Sequence, residues 1–136
     1  MNLECNIFFS VVIPTYERPD DLRISLNSLS KDIQLGSPPY EIIVTDDSKS
    51  EESRRMIESE FLNVSWGKGK QNGPAGNRNA GVDRANGKWI VFLDDDCIAQ
   101  EGYLNAYARA ITANQSIQVF EGRIFADRPR RTWAEG

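Results

Sequence analysis

Short apolar runs and amphipathic stretches alternate along this chain, and the alternation predicts its elements. Residues 7–14 (IFFSVVIP) read as a buried strand. A helix follows over about 20–30, with Leu22, Leu26 and Leu29 recurring at helical spacing on one face. After the loop LGSPPY, a second strand is predicted at 41–45. Ser48 and Glu51 match the S-x-x-E capping box and predict a helix from there to about Phe61. Residues 63–66 suit a short third strand. The loop GKGKQNGPAG leads into a helix that runs through Ala85 and stops at Asn86-Gly87. Residues 89–93 (WIVFL) are the clearest buried strand; a helix over about 103–113 and a last strand over 117–124 complete the pattern.

Strands rich in Val, Ile and Phe that alternate with helices imply an α/β fold, a parallel sheet covered on both faces. Ligands of such sheets bind beyond the carboxyl ends of the strands. The loops after Pro14, Thr45 and Leu93 are therefore expected to share one edge. No internal repeat or low-complexity segment interrupts the 136 residues, which read as a single domain, 1–136. A domain of that size buries about two-thirds of its unfolded surface.

The net charge of -4 argues against a general nucleic-acid binder, which shows a basic face. No apolar run approaches the roughly 20 residues of a membrane span. The start MNLECNIFFSVVIP lacks the basic region and small-residue cleavage site of a secretory signal. A cytoplasmic protein without a transmembrane segment is expected. Cys5 and Cys97 form no CxxC unit and read as free thiols rather than a disulfide or zinc pair. The chain has no histidine, which excludes imidazole metal ligands, Ser–His triads and histidine bases. Any metal here is expected on oxygen ligands.

Three polar clusters close probable strands or open probable helices. Asp94-Asp95-Asp96 follows WIVFL directly. Adjacent carboxylates repel, by about 1 kcal/mol per close pair in water and several times more at a partly buried edge. In extended chain Asp94 and Asp96 point the same way, and a divalent cation between them removes the repulsion. All-oxygen ligation suits Mg²⁺ or Mn²⁺. A polar strand end with one Asp capping a turn accounts for one or two acids, but not three. Asp46-Asp47 closes EIIVT; acids are ordinary before a helix, yet one carboxylate here can accept a hydrogen bond from a nucleotide base or ribose. In NGPAGNRNAG, Gly73 and Gly76 allow close backbone approach, the helix N-terminus favours a phosphate, and Arg78 can clamp a diphosphate. Tyr16, in the loop after the first strand, can stack on a base or anchor on the core. Two phosphate motifs fail. PTYERPDD contains no glycine after the first strand, so G-x-G-x-x-G is absent, and Gly81…Gly87-Lys88 misses the P-loop in spacing and context.

In order, VVIPTYERPDDLRISLNSL, EIIVTDDS, GNRNAG and GKWIVFLDDD resemble the family-2 glycosyltransferases of the GT-A fold. The resemblance runs from about Ser10 to Arg123. It implies a Rossmann-like, mostly parallel GT-A sheet and a nucleoside diphosphate sugar, usually UDP-linked, as donor. Pro14, Thr15 and Tyr16 then hold the base, Asp47 contacts it with Asp46 beside it, and Arg78 matches the arginine of an ARNxG-like segment. Asn77 stands where alanine is common in that segment. Asp94-Asp95-Asp96 match the D-x-D motif, with Asp96 and Asp94 as Mn²⁺ or Mg²⁺ ligands and Asp94 and Asp95 near the ribose.

The implied reaction displaces a nucleoside diphosphate from a sugar carbon by an acceptor hydroxyl, with inversion. In the family the carboxylate base lies well beyond the D-x-D motif, in the acceptor-binding half, so the resemblance places it past Gly136. The chain is then the donor-binding portion, and the acceptor, a saccharide or a lipid-linked one, goes unnamed. Of the later acids, Glu121 falls in the last predicted strand, and Asp127 and Glu135 in a terminal loop. Arg128, Arg130 and Arg131 can reach an anionic acceptor or the inner face of a membrane, although a solvated terminal loop explains them as well. Two other readings stand beside this one. A fragment can bind the nucleotide sugar without transferring it. A sugar nucleotidyltransferase also pairs acidic strand ends with a metal, but needs the glycine-rich loop that PTYERPDD lacks.

Overall fold

The computed structural model describes residues 6–126. Strands and helices alternate as β1 (Phe9–Thr15), α1 (Pro19–Ser28), β2 (Tyr40–Asp46), α2 (Glu52–Glu60), β3 (Val64–Lys68), α3 (Pro74–Arg84), β4 (Trp89–Phe92) and α4 (Tyr103–Ala113). The four strands form one parallel sheet in the order β3-β2-β1-β4. The order reverses at β1: β2 and β3 extend the sheet on one side, β4 on the other. Such a reversal opens a crevice at the carboxyl ends of the two strands that flank it.

β1 carries no polar–apolar alternation because both of its faces are covered. On one face Phe9, Val11 and Ile13 join Leu22, Leu26 and Leu29, Met56 and Ile57 of α2, and Leu104 of α4 in the main core. On the other face Val12 lies under α3. That helix rides close to the sheet because residue 81 is glycine: a Cβ there would collide with Val12 and crowd Thr45. α1 opens on Pro19 with Asp20 and Asp21 in its first turn, a start that suits the unpaired N–H groups of a helix end. α3 opens on Gly73, at φ 99°, followed by Pro74.

At the amino ends of the strands, Glu41 ties three segments together. Its Oε1 accepts the Ser10 hydroxyl at 2.6 Å and the Asn86 N–H at 2.7 Å, and Ser10 Oγ in turn accepts the Gly87 N–H at 2.8 Å.

Two expected features do not form. The capping box does not open α2, which begins only at Glu52 and has no side-chain cap bond. Ser48 Oγ instead accepts the Glu17 N–H from the loop after β1 at 2.6 Å. Residues 117–124 form no strand. They run irregularly past the sheet, with Val119 and Ile124 exposed and Phe120 resting on Trp89 at 5.7 Å between ring centroids. β-rich composition makes a strand only where a ladder partner is available, and among the described residues this segment has none. No helix among the described residues is long and apolar enough to cross a membrane.

Candidate functional site

The loops after β1, β2 and β4 converge, as the sheet-edge argument requires, around a cleft of about 700 Å³ that α3 also walls. Pro14, Thr15 and Tyr16 come to it from β1, Asp47 from β2, Arg78 from α3, and Asp94, Asp95 and Asp96 from β4. The first two loops hold each other in place. The Asp47 N–H donates to the Thr15 carbonyl at 3.1 Å, and the Ser50 N–H and hydroxyl both donate to the Glu17 carboxylate at 3.0 Å.

Within the acidic triplet the side chains divide by exposure. Asp94 and Asp96 are exposed, whereas Asp95 is buried and accepts the Thr15 hydroxyl at 2.8 Å. Burial pushes the Asp95 carboxyl above its ordinary range, against the pull of the Thr15 hydroxyl and the Arg18 charge. Two guanidinium groups flank the triplet. Arg18 lies 3.6 Å from both Asp95 and Asp96, and Arg78 lies 3.2 Å from Asp94. One ligand atom each from Asp94, Asp96 and Cys97 lies within 4.8 Å of the others, a span that one cation can bridge. The two carboxylates fit a hard divalent ion such as Mg²⁺ or Mn²⁺. Cys97 adds a sulfur where only oxygens were expected, and a soft sulfur suits a hard divalent ion less well than the two carboxylates do.

Asp46 does not join the cleft. It is 1% exposed, with Oδ1 accepting the Ser48 N–H at 2.8 Å and Oδ2 accepting Trp66 Nε1 at 3.0 Å. Its neighbour Asp47 faces the cleft and accepts the Gln71 N–H at 2.9 Å. Glu121 is exposed in the irregular segment. Cys5, Asp127, Glu135 and the arginines at 128, 130 and 131 lie outside the described residues.

Five cleft residues, Arg18, Lys49, Gln71, Pro74 and Asn77, were not expected from the sequence. Arg18 was within reach of the same reasoning, since it lies two residues past Tyr16 in a loop already assigned to the edge. Asn77 carried a signal too. It stands one helical turn before Gly81, on the sheet-facing side of α3, where a polar residue calls for a partner.

Comparison with known proteins bears on this geometry. The family description "Glycosyl transferase family 2" matches residues 10–136. The chain is 34% identical over 97 residues to a GalNAc(5)-diNAcBac-PP-undecaprenol beta-1,3-glucosyltransferase of Campylobacter jejuni, a match covering 64% of this chain and 29% of that protein. It is 31% identical over 105 residues to the Staphylococcus aureus poly(ribitol-phosphate) beta-N-acetylglucosaminyltransferase TarS, covering 74% of this chain and 18% of that one. The chain thus spans less than a third of the length of either relative. Among solved structures, S. aureus TarS 1-349 in complex with UDP superimposes with a TM-score of 0.69 at 25% identity, over 89% of this chain and 38% of that one. A Pyrobaculum calidifontis mannosyltransferase in complex with GDP-Man and Mn²⁺ shares the fold, with a TM-score of 0.62 at 20% identity.

Proposed function

The chain belongs to glycosyl transferase family 2, and on that premise we propose that residues 1–136 form a donor-binding domain for a nucleoside diphosphate sugar, with uridine as the nucleoside. The observation that carries the reading is the convergence of Asp47, Arg78 and the acidic triplet on one cleft at the reversal point of the sheet. Tyr16 offers an exposed ring for stacking at the β1 end. Asp47 accepts an N–H from the base. Arg78 trades its Asp94 partner for diphosphate oxygens, which its fork matches in bidentate fashion. Asp94 and Asp96 hold a divalent cation, and Asp95, anchored by Thr15, fixes the turn that presents them. When bound, the cation neutralises charge that builds on the leaving diphosphate.

TarS has been solved with UDP and with UDP-GlcNAc, which supports uridine as the nucleoside. We assign donor capture to this chain; the acceptor site and the base that deprotonates the acceptor hydroxyl belong to the remaining length of such enzymes. The test is calorimetric titration with UDP, CDP, GDP and ADP, each in Mn²⁺ and in chelator. UDP should bind most tightly, and more tightly with Mn²⁺. Equal affinity in chelator removes the metal from the reading, and equal affinity for all four nucleotides removes the base.

A further inference from the structure

Asn77 is 3% exposed and stands in α3 directly before Arg78, at the wall of the cleft. Its Nδ2 donates to the Thr15 carbonyl at 3.3 Å, the same carbonyl that accepts the Asp47 N–H. A carbonyl can only accept, so this bond fixes the amide's orientation, with Nδ2 toward β1 and Oδ1 away from it. Oδ1 is buried and has no hydrogen-bond donor among the described residues. It shares its surroundings with a second acceptor. A Cβ on Gly69 would collide with both Asn77 Oδ1 and Asp47 Oδ1, so the two oxygens converge over the same glycine α-carbon. Asp47 Oδ1 has the Gln71 N–H, and Asn77 Oδ1 has nothing.

We propose that Asn77 is a second base-reading residue: its Oδ1 and the Asp47 carboxylate form an acceptor pair for an N–H on the edge of the nucleobase. This rests on the donor-binding reading above and names the groups that set its nucleotide preference. An acceptor pair that includes a carboxylate repels phosphate oxygens, so the diphosphate belongs at the other end of the cleft, beside Arg78 and the triplet. The ribose then lies between, and the base reaches the β2 end where the pair sits. Uracil presents its N3–H there, whereas cytosine presents a lone pair at N3. The acceptor pair favours the first and opposes the second.

The experiment is calorimetry of UDP and CDP against the parent and Asn77→Ala, in Mn²⁺, with thermal unfolding as a check on folding. Losing one hydrogen bond of this kind should weaken UDP binding about 10-fold in Asn77→Ala, while CDP, freed of an opposing acceptor, binds no more weakly than to the parent. The preference for UDP over CDP should shrink by at least the same factor, with the gain from Mn²⁺ intact. If Asn77→Ala fails to fold, Asn77→Ser, which keeps a hydroxyl for the Thr15 carbonyl, carries the same comparison. Parent-like affinity and preference in the variant overturn the proposal. So does an equal loss for UDP and CDP, which assigns Asn77 to the ribose or to packing. If the parent binds neither nucleotide, the donor-binding reading itself fails, and the role of Asn77 with it.

Discussion

Asp46 and Asp47 are the same residue type one position apart, yet the fold uses them differently. Asp46 turns inward to Ser48 and Trp66, and Asp47 turns to the cleft. The residue types in TDDS do not distinguish them; Asp46 is captured by the Ser48 N–H two residues on and by Trp66 on the neighbouring strand. The triplet was legible for the opposite reason: three adjacent acids at a strand mouth exceed what local capping can absorb. Different experiments follow for each acid. Asp46→Ala orphans buried donors at about 1–3 kcal/mol each, so it should lower the melting temperature and shift Trp66 fluorescence while nucleotide affinity holds. A stable Asp46→Ala protein with weakened UDP binding would return Asp46 to the ligand set. Asp96→Ala should behave in reverse, keeping stability and losing the Mn²⁺ enhancement of UDP binding. Calorimetry that still shows the enhancement removes Asp96 from the metal. Arg78→Lys should weaken UDP about 10-fold, since an ammonium cannot reproduce the bidentate fork; an unchanged dissociation constant would make Arg78 a partner of Asp94 alone.

The strands and helices built from apolar runs were readable almost to their ends, because the covered faces of β1 leave Val11, Val12 and Ile13 in succession and α1 carries a leucine stripe. β4 is less buried than its apolar run implied, since it lies at the edge of the described sheet with Phe92 exposed. Reading failed where a side chain had a choice of partner. Ser48 matched a helix-capping pattern, but its hydroxyl went to Glu17 across the sheet edge. Residues 117–124 had the composition of a strand without a neighbour to pair with among the described residues. Glu41 shows the same dependence on tertiary partners and supplies an element-level prediction. Burial raises its carboxyl pKa, but the Ser10 hydroxyl and the Asn86 donors outweigh that and leave it below the ordinary value of 4.5. The folded chain therefore binds fewer protons than the unfolded one in that range. The stability Glu41 contributes is fully present above about pH 4.5 and is lost as pH falls through its lowered folded value. Glu41→Gln should lower the melting temperature at neutral pH and flatten its decline on the acid side. Parallel pH profiles for the variant and the parent would show that the tie among β1, β2 and the turn before β4 is energetically silent.

Across the whole molecule the sheet separates its tasks. The amino ends of the strands hold the Ser10–Glu41–Asn86 tie, the carboxyl ends hold the cleft, and α3 connects the two by lying flat across β1 and β2. What fixes the height of that helix is the missing methyl at Gly81. Adding one, as in Gly81→Ala, forces α3 off Val12 at about 1–3 kcal/mol. The helix is rigid, so the displacement appears one turn earlier, at Asn77 and Arg78. In a library of every single substitution sorted by capture on a nucleotide resin, position 81 should therefore score with the ligand contacts, although its α-carbon faces the interior. A selection of that kind would map the cleft correctly and, in addition, draw a line from it into the core.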